Sequence, residues 1–339
     1  MDKLKIAMVG GGRIAQIAHL PNWTAMDNVE LIALCDVDKG KVGFLTDKFN
    51  IPHWYYVLDE MLKKEKLDAL HICTPNLHHF PMAYLALSKG VNVLVEKPIA
   101  LNYKDAKTLD EIATKNKLTL MVGMHNRFRD DVSMLRNFLA QDELGDIFYI
   151  KTGWLQKWQK QETSSWHSEK KSSGGGVLID IGIQLLDLAL YIVNFPQLKR
   201  VRLYDYHLNP EINVEDAALA VIETATGQTI TIEVSWKMHL EKDTVYTHIF
   251  GKRGAAKLNP LRIHREMHAS LVNLSPLDQH SPVDLFKKAY SKELRHFVNV
   301  VNGQKENRSS ASDALKVMKI IDALYESASR GEEIDISLL

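Results

Sequence analysis

Several groups of residues in this 339-residue chain have types and spacings that could do chemistry. Lys97 stands between Glu96 and Pro98, directly after the apolar run Val91-Asn92-Val93-Leu94-Val95. An amine there could exchange a proton with a hydroxyl, and the proline after it restricts its backbone to an extended form. A lysine beside a glutamate is more often a surface ion pair, so it is the position at the end of a strand that argues for chemistry. Gly174-Gly175-Gly176 opens a long apolar stretch into which Asp180, Gln184 and Asp187 are set. Spacings of four and three put these three on one helical face, and carboxylates in so apolar a helix need partners. Asp187 is expected to pair with an arginine or cap a backbone. Asp180 is expected to meet a ligand, with Gly182 removing a side chain where a ring could approach. Gly10-Gly11-Gly12-Arg13-Ile14-Ala15 has the small-residue spacing of an anion cradle. Gly10 allows the turn, Gly12 lets the backbone approach a pyrophosphate, and Ala15 lets a helix pack closely on a strand.

These residues need elements to position them. Residues 4–9 read as a buried strand, 13–26 as a helix and 30–35 as a second strand ending at Asp36. Strand, glycine turn, helix and strand followed by an acid form the dinucleotide-binding pattern, in which Asp36 would hold ribose hydroxyls. A carboxylate there repels a 2′-phosphate, and Val37 and Asp38 follow where an arginine would favour one. NAD is therefore expected over NADP, with Lys39 as the counter-indication.

The alternation continues with helices at 39–49, 58–64, 77–89 and 103–116 and strands at 68–73, 91–95 and 119–122. It predicts an α/β, doubly wound parallel sheet with ligand loops at Thr74-Pro75-Asn76-Leu77-His78, Glu96-Lys97-Pro98 and 123–127. From about Phe148, β-rich runs at 201–207, 217–224, 229–236 and 244–250 follow one another without helices. They predict an α+β second domain with a large, mostly antiparallel sheet. In 229–236, Ile230, Ile232, Val234 and Trp236 alternate with Thr229, Thr231, Glu233 and Ser235. One sheet face is expected to pack on helices. The other is either solvated or, as we expect, covered by a second copy in a homodimer or homotetramer. Residues 271–282 read as a loop before two C-terminal helices. The domains are drawn at 1–123 and 124–339.

Lysine plus arginine and aspartate plus glutamate number 42 each, so no global field attracts nucleic acid or an anionic membrane. No signal peptide or membrane-spanning apolar run is read, and cytoplasmic localisation is expected. Cys35 and Cys73 read as buried, reduced thiols. Trp154, Trp158 and Trp166 lie among Gln156, Gln159, Gln161, Lys157, Lys160, Lys170 and Lys171. That composition suits either a sugar ring or aromatic packing beside a solvated basic flank. No metal site is expected: the histidines of His264-Arg265-Glu266-Met267-His268 are four apart, but the glutamate fits neither zinc-protease order, and His78 and His79 would point apart.

Taken together the motifs resemble the Gfo/Idh/MocA oxidoreductases, which include inositol dehydrogenases and glucose–fructose oxidoreductase. The resemblance covers nearly the whole chain and rests on the Gly10 to Ala15 turn, on Thr74-Pro75-Asn76 with His78, on Glu96-Lys97-Pro98 and on 176–187. It also rests on Tyr290-Ser291-Lys292-Glu293-Leu294 and Ile321-Asp322-Ala323-Leu324-Tyr325. It implies an N-terminal Rossmann domain and a nicotinamide over Lys97. The cofactor would lie against Gly10, Gly12, Arg13, Ile14, Asp36, Thr74, Pro75, Asn76, His78 and Glu96, and the substrate against Trp166, His167, Asp180 and Gln184. Gln184 departs from the family, many of whose dehydrogenases carry a proton-exchanging histidine there; glutamine cannot titrate. The proton then falls to Lys97, on which we place most weight, or to His125 or His167.

The resulting expectation is an NAD-dependent dehydrogenase acting on a secondary hydroxyl of a sugar, sugar derivative or cyclitol, with Lys97 as acid and base and Asp180 and Gln184 orienting the substrate. Two alternatives stay open: a hidden-redox glycosidase or lyase with tightly held NAD, and a dinucleotide-binding sensor or regulator without turnover.

Overall fold

The computed structural model describes residues 3–158, 166–277 and 281–338. The chain divides into two compact units, Met1–His125 with Lys287–Lys316, and Asn126–Phe286 with Val317–Leu339.

The first unit is built on strands β1 (Leu4–Val9), β2 (Val29–Cys35), β3 (His53–Tyr55), β4 (Ala69–Ile72), β5 (Asn92–Glu96) and β6 (Leu120–Gly123). They form a six-stranded sheet in the order β3-β2-β1-β4-β5-β6, every pair parallel. Helices α1 (Leu20–Thr24), α2 (Lys39–Phe49), α3 (Leu58–Lys64), α4 (His79–Ser88) and α5 (Tyr103–Asn116) connect them. The strand order reverses between β1 and β4, where crevices open beyond the carboxyl ends of strands in this architecture. The strands are buried on both faces, with Ile6, Ala7, Met8, Leu70, Ile72, Val93 and Val95 at 0% exposure, which is why they read as continuous apolar runs.

The helix expected over 13–26 is not one regular α-helix. A π-helical turn occupies Ala15–His19 before α1. Pro21 has no N–H to continue the ladder, and the wide turn closes one residue earlier, with the Leu20 N–H on the Ala15 carbonyl.

The second unit contains α6 (Asp130–Ala140), β7 (Ile147–Lys157), α7 (Lys170–Ser173), α8 (Ile183–Ile192), β8 (Leu198–Tyr206), β9 (Ala217–Thr224), β10 (Thr229–Met238), β11 (Thr244–Gly251), β12 (Gly254–Leu258), β13 (Arg262–Met267) and β14 (Ser270–Asn273). Helices α9 (Pro282–Val301) and α10 (Ala311–Arg330) and the short β15 (Ile334–Asp335) end the chain. The nine-stranded sheet runs β14-β13-β12-β11-β7-β10-β9-β8-β15, antiparallel except where β7 pairs with β10.

Four sequence expectations are corrected here. β7, an inner strand of this sheet, was not anticipated, because Lys151, Gln156 and Lys157 interrupt its apolar pattern. The loop expected over 271–282 begins later, since β14 continues to Asn273; residues 278–280 lie outside the described residues. The alternation of 229–236 breaks at a register shift between Ser235 and Met238, which buries Ser235 to 1% and leaves Trp236 half-buried. Finally, the stretch Lys170–Ile192 is long and apolar enough by composition to cross a membrane, contrary to the expectation of no such run, and 89% of its apolar window is buried inside the chain. It is apolar because α8 and the turn before it pack against β7 and β10 in the core. Both cysteines are free and buried, as expected.

Candidate functional site

The glycine turn sits directly beyond β1. Gly10 takes φ +94°, a left-handed conformation, and a Cβ there would collide with the Cys73 carbonyl, so this position requires glycine. At Gly12 a Cβ would meet nothing within 4 Å, which leaves the backbone open to a large anion. Arg13 is exposed and Ile14 half-buried, while Ala15 is buried to 0% against the sheet. Asp36, at the end of β2 and 8% exposed, accepts hydrogen bonds from the Gly11 N–H at 2.7 Å and the Asp38 N–H at 2.9 Å. Lys41 brings its Nζ to 3.4 Å from Asp36 Oδ1, a cation beside this acid that the sequence reading passed over. An open glycine backbone, a helix start and a buried acid fit a dinucleotide's pyrophosphate and ribose.

The loops after β4 and β5 carry the next group. Thr74 and Pro75 are half-buried, Asn76 is 6% exposed, and His78 is exposed. The neighbouring His79 is buried to 1%, with Nδ1 2.7 Å from the Pro98 carbonyl and Nε2 2.8 Å from the Thr74 carbonyl. Burial holds the His79 pKa below the ordinary histidine value, against the upward pull of both carbonyls and of Glu96. Lys97 is half-buried, follows the last residue of β5, and precedes Pro98 through a cis peptide bond.

Glu96 is the centre of a buried cluster. Its Oε1 lies 2.8 Å from His19 Nε2, and its Oε2 accepts from the Lys97 backbone N–H at 3.2 Å. Burial pushes the Glu96 pKa up, but the His19 hydrogen bond, with the charges of His19, Lys97 and His125, outweighs it and holds the carboxyl below its ordinary value. The His19 ring meets His71 edge-on at 4.3 Å, and His71 Nδ1 accepts from Trp23 Nε1 at 2.9 Å. Burial holds the His71 pKa well below the usual histidine value. His125 stacks on Tyr290 at 4.4 Å, and Tyr290 touches the His19 ring edge-on at 5.2 Å. One donor atom each from His19, His71 and Glu96 lies within 4.8 Å of the others, an arrangement the sequence reading did not assemble. Its only advance signal was the histidine following the glycine turn. The π-helical turn that ends on His19 carries that ring to Glu96.

In the second unit, Asp180 lies in a π-helical turn, Leu178–Gly182, ahead of α8. Its Oδ2 accepts from Trp236 Nε1 at 3.0 Å. Gln184 is 8% exposed and Asp187 1%. Asp187 pairs with Arg127 through two hydrogen bonds, Nε to Oδ2 at 2.9 Å and Nη2 to Oδ1 at 2.5 Å, with the guanidinium 5.0 Å from the Tyr191 and Phe195 rings. This is the arginine pairing expected for Asp187. Gly182 does not face open space: a Cβ there would lie 3.0 Å from Leu178 and 3.6 Å from Val234, so its missing side chain serves packing rather than a ligand. Glu215, which the sequence reading missed, accepts from the Gly176 and Leu178 N–H groups at 2.9 and 3.1 Å and from Tyr325 Oη at 2.9 Å. It satisfies the helix start from a distant strand connection, so no local pattern announces it. Burial raises the Glu215 pKa against these hydrogen bonds.

Trp166 and His167 stack at 3.7 Å and are both half-buried. Lys237 Nζ sits 5.6 Å from the centre of the Trp158 ring. Gln159, Lys160 and Gln161 lie outside the described residues.

Two family models match the chain. One, described as oxidoreductase family, NAD-binding Rossmann fold, matches residues 4–124; the other, oxidoreductase family, C-terminal alpha/beta domain, matches residues 136–336. The chain is 27% identical to the D-glucoside 3-dehydrogenase of Escherichia coli (strain K12), over 98% of this chain and 97% of that protein. Among solved structures it resembles a levoglucosan dehydrogenase in complex with NADH, with TM-score 0.86, 19% identity and 99% of each chain covered. It also resembles the myo-inositol 2-dehydrogenase of Lactobacillus plantarum, with TM-score 0.85, 20% identity and 98% and 99% covered. At these identities the two structures speak to the fold alone.

Proposed function

The chain belongs to the Gfo/Idh/MocA oxidoreductase family, and we propose that it is an NAD-dependent dehydrogenase of a secondary hydroxyl on a sugar, sugar derivative or cyclitol. The observation that carries the reading is Lys97. It leaves β5 at the carboxyl edge of the sheet whose β1 end bears the glycine turn, backed by a Glu96 carboxylate held charged by His19. The named relative acting on D-glucosides supports a sugar as the substrate class.

Bound NAD supplies the hydride acceptor. The chain's own groups do the rest. The N–H groups after Gly12 and the Asp36 carboxylate bind pyrophosphate and ribose, and Arg13, Ile14, Thr74, Pro75, Asn76 and His78 border the cofactor. Lys97 Nζ takes the hydroxyl proton as the C–H bond breaks and returns it in the reverse direction. Asp180, fixed by Trp236, accepts hydrogen bonds from substrate hydroxyls, and Gln184 orients a further one through its amide. Trp166 and His167 border the sugar. Residues 1–123 serve the cofactor, and residues 124–339 serve the substrate and subunit contacts. The protein works in the cytoplasm as a homo-oligomer. Its contact is the sheet face carrying Tyr149, Lys151, Glu233, Tyr246 and Phe250, where Tyr149 stacks on Phe250 and Lys151 pairs with Glu233 at 2.9 Å.

The test is a panel of glucosides, free pyranoses, apiose and inositols with NAD, followed by NADH absorbance. Turnover on at least one sugar or cyclitol is expected. A silent panel, with NAD retained through purification and released only on denaturation, would replace this reading with hidden-redox chemistry. A silent panel without retained NAD would favour the non-catalytic sensor.

A further inference from the structure

β4 and β5 are paired side by side as far as Ile72 and Val95, and beyond those rungs their chains part into the Thr74 and Lys97 turns. Pro98 has no N–H, so the segment carrying Lys97 cannot extend the ladder from that residue. The His79 ring fills the gap: it is buried to 1% at the start of α4 and touches the Pro98 carbonyl with one nitrogen and the Thr74 carbonyl with the other. A buried carbonyl left without a donor is costly, and a neutral ring has one N–H, so His79 can donate to only one of the two carbonyls it touches.

We propose that His79 is a positioning residue that carries its proton on Nδ1 and sets the place of Lys97 by donating it to the Pro98 carbonyl. The proposal rests on reading Lys97 as the proton acceptor, and it assigns a task to a buried histidine that acts through its neighbour. The two nitrogens can be told apart. Nδ1–H holds the Lys97 side, while Nε2, 2.8 Å from the Thr74 carbonyl, carries no proton in this tautomer. Asparagine offers an amide nitrogen near the place of Nδ1, and glutamine one near the place of Nε2.

The experiment is reductive methylation of the full-length protein with formaldehyde and borohydride in the presence of NADH, with the rate at each lysine read by peptide mass spectrometry. In His79→Ala and His79→Gln, the rate at Lys97 is expected to change about fivefold, the size of one net hydrogen bond. Lys104 and Lys107 on α5 should hold their wild-type rates. His79→Asn should return Lys97 to near its wild-type rate. If His79→Ala does not fold, the Gln and Asn pair carries the comparison. An unmoved Lys97 rate in the Gln variant, whatever its melting temperature, overturns the proposal, as does an Asn variant shifted as far as the Gln variant. Turnover of Lys97→Met tests the base assignment separately, so a wrong base and a wrong clamp give different patterns.

Discussion

The Gly11 backbone N–H donates to Asp36 Oδ2 at 2.7 Å, so the residue that would read the cofactor's ribose also closes the turn that would hold its phosphates. Removing the carboxylate with alanine would disturb both at once. Asp36→Asn keeps an acceptor for Gly11 and removes the charge. Combined with Val37→Arg, it should move preference toward NADP by tenfold or more, about 1.4 kcal/mol, because Lys41 and the new arginine can both meet a 2′-phosphate. Fluorescence titrations with NADH and NADPH measure this. A wild-type protein that already prefers NADPH would end the reading of Asp36.

The parts of this site that were legible in sequence are those written locally. The Gly10 to Ala15 turn, the acid closing β2 and the lysine after β5 each depend on neighbours within one βαβ step, and buried parallel strands announce themselves as apolar runs. What was hidden depends on distant partners. His19 meets Glu96 across 77 positions, Glu215 caps a helix 39 positions away, and Trp236 reaches Asp180 across 56. The two π-helical turns were hidden for another reason: each inserts a residue into a regular helical count, so spacings of three and four do not fix the faces of His19 or Asp180. β7 was missed because the half-exposed sheet face carries lysine and aromatic residues, which blur a period of two.

Trp236 fixes Asp180 through a single N–H, so Trp236→Phe removes that donor while keeping most of the aromatic bulk. A loss of about 0.5–1.5 kcal/mol in transition-state stabilisation is expected, through a raised KM, as Asp180 loses this donor. Steady-state kinetics on the best panel substrate decide it. An unchanged KM would mean that the Trp236 contact does not shape the substrate site.

Arg127 and Asp187 are each 1% exposed and bound to one another by two hydrogen bonds. Asp187→Ala leaves a guanidinium buried without its carboxylate, and should cost about 3–5 kcal/mol. Urea denaturation followed by circular dichroism reads the loss. A cost under about 1 kcal/mol would show that the arginine finds water or another acceptor.

His296 Nε2 accepts from the Arg308 N–H at 3.0 Å. Burial, reinforced by the charges of Arg308 and Lys305, lowers its pKa from 6.5 to about 4. The folded state therefore binds a proton less readily than the unfolded chain. The stability this provides is present above pH 6.5 and is lost as the pH falls from 6.5 towards about 4, by at most about 3 kcal/mol. His296→Gln keeps an acceptor for Arg308 but cannot titrate, so its denaturation midpoint should fall less steeply over the same range. Parallel slopes for the two proteins would remove His296 from the account.

Lys97 and Gln184 make opposite kinetic predictions, which separate a proton acceptor from an orienting group. If Lys97 takes the proton, Lys97→Met should leave NAD affinity nearly intact, since on this reading the pyrophosphate and ribose contacts would belong to the Gly10 turn and Asp36. Turnover should fall by about 10²–10⁴, as for loss of a general base. Gln184→Ala can remove only orientation, because an amide does not titrate. It should raise KM and lower turnover moderately while the pH dependence of hydride transfer keeps its wild-type shape. Pre-steady-state NADH formation against pH, in wild type and both variants, separates the cases. If Lys97→Met transfers hydride at a near-normal rate with its pH dependence unaltered, the base is elsewhere. His125, stacked on Tyr290, and His167, stacked on Trp166, become the residues to change next.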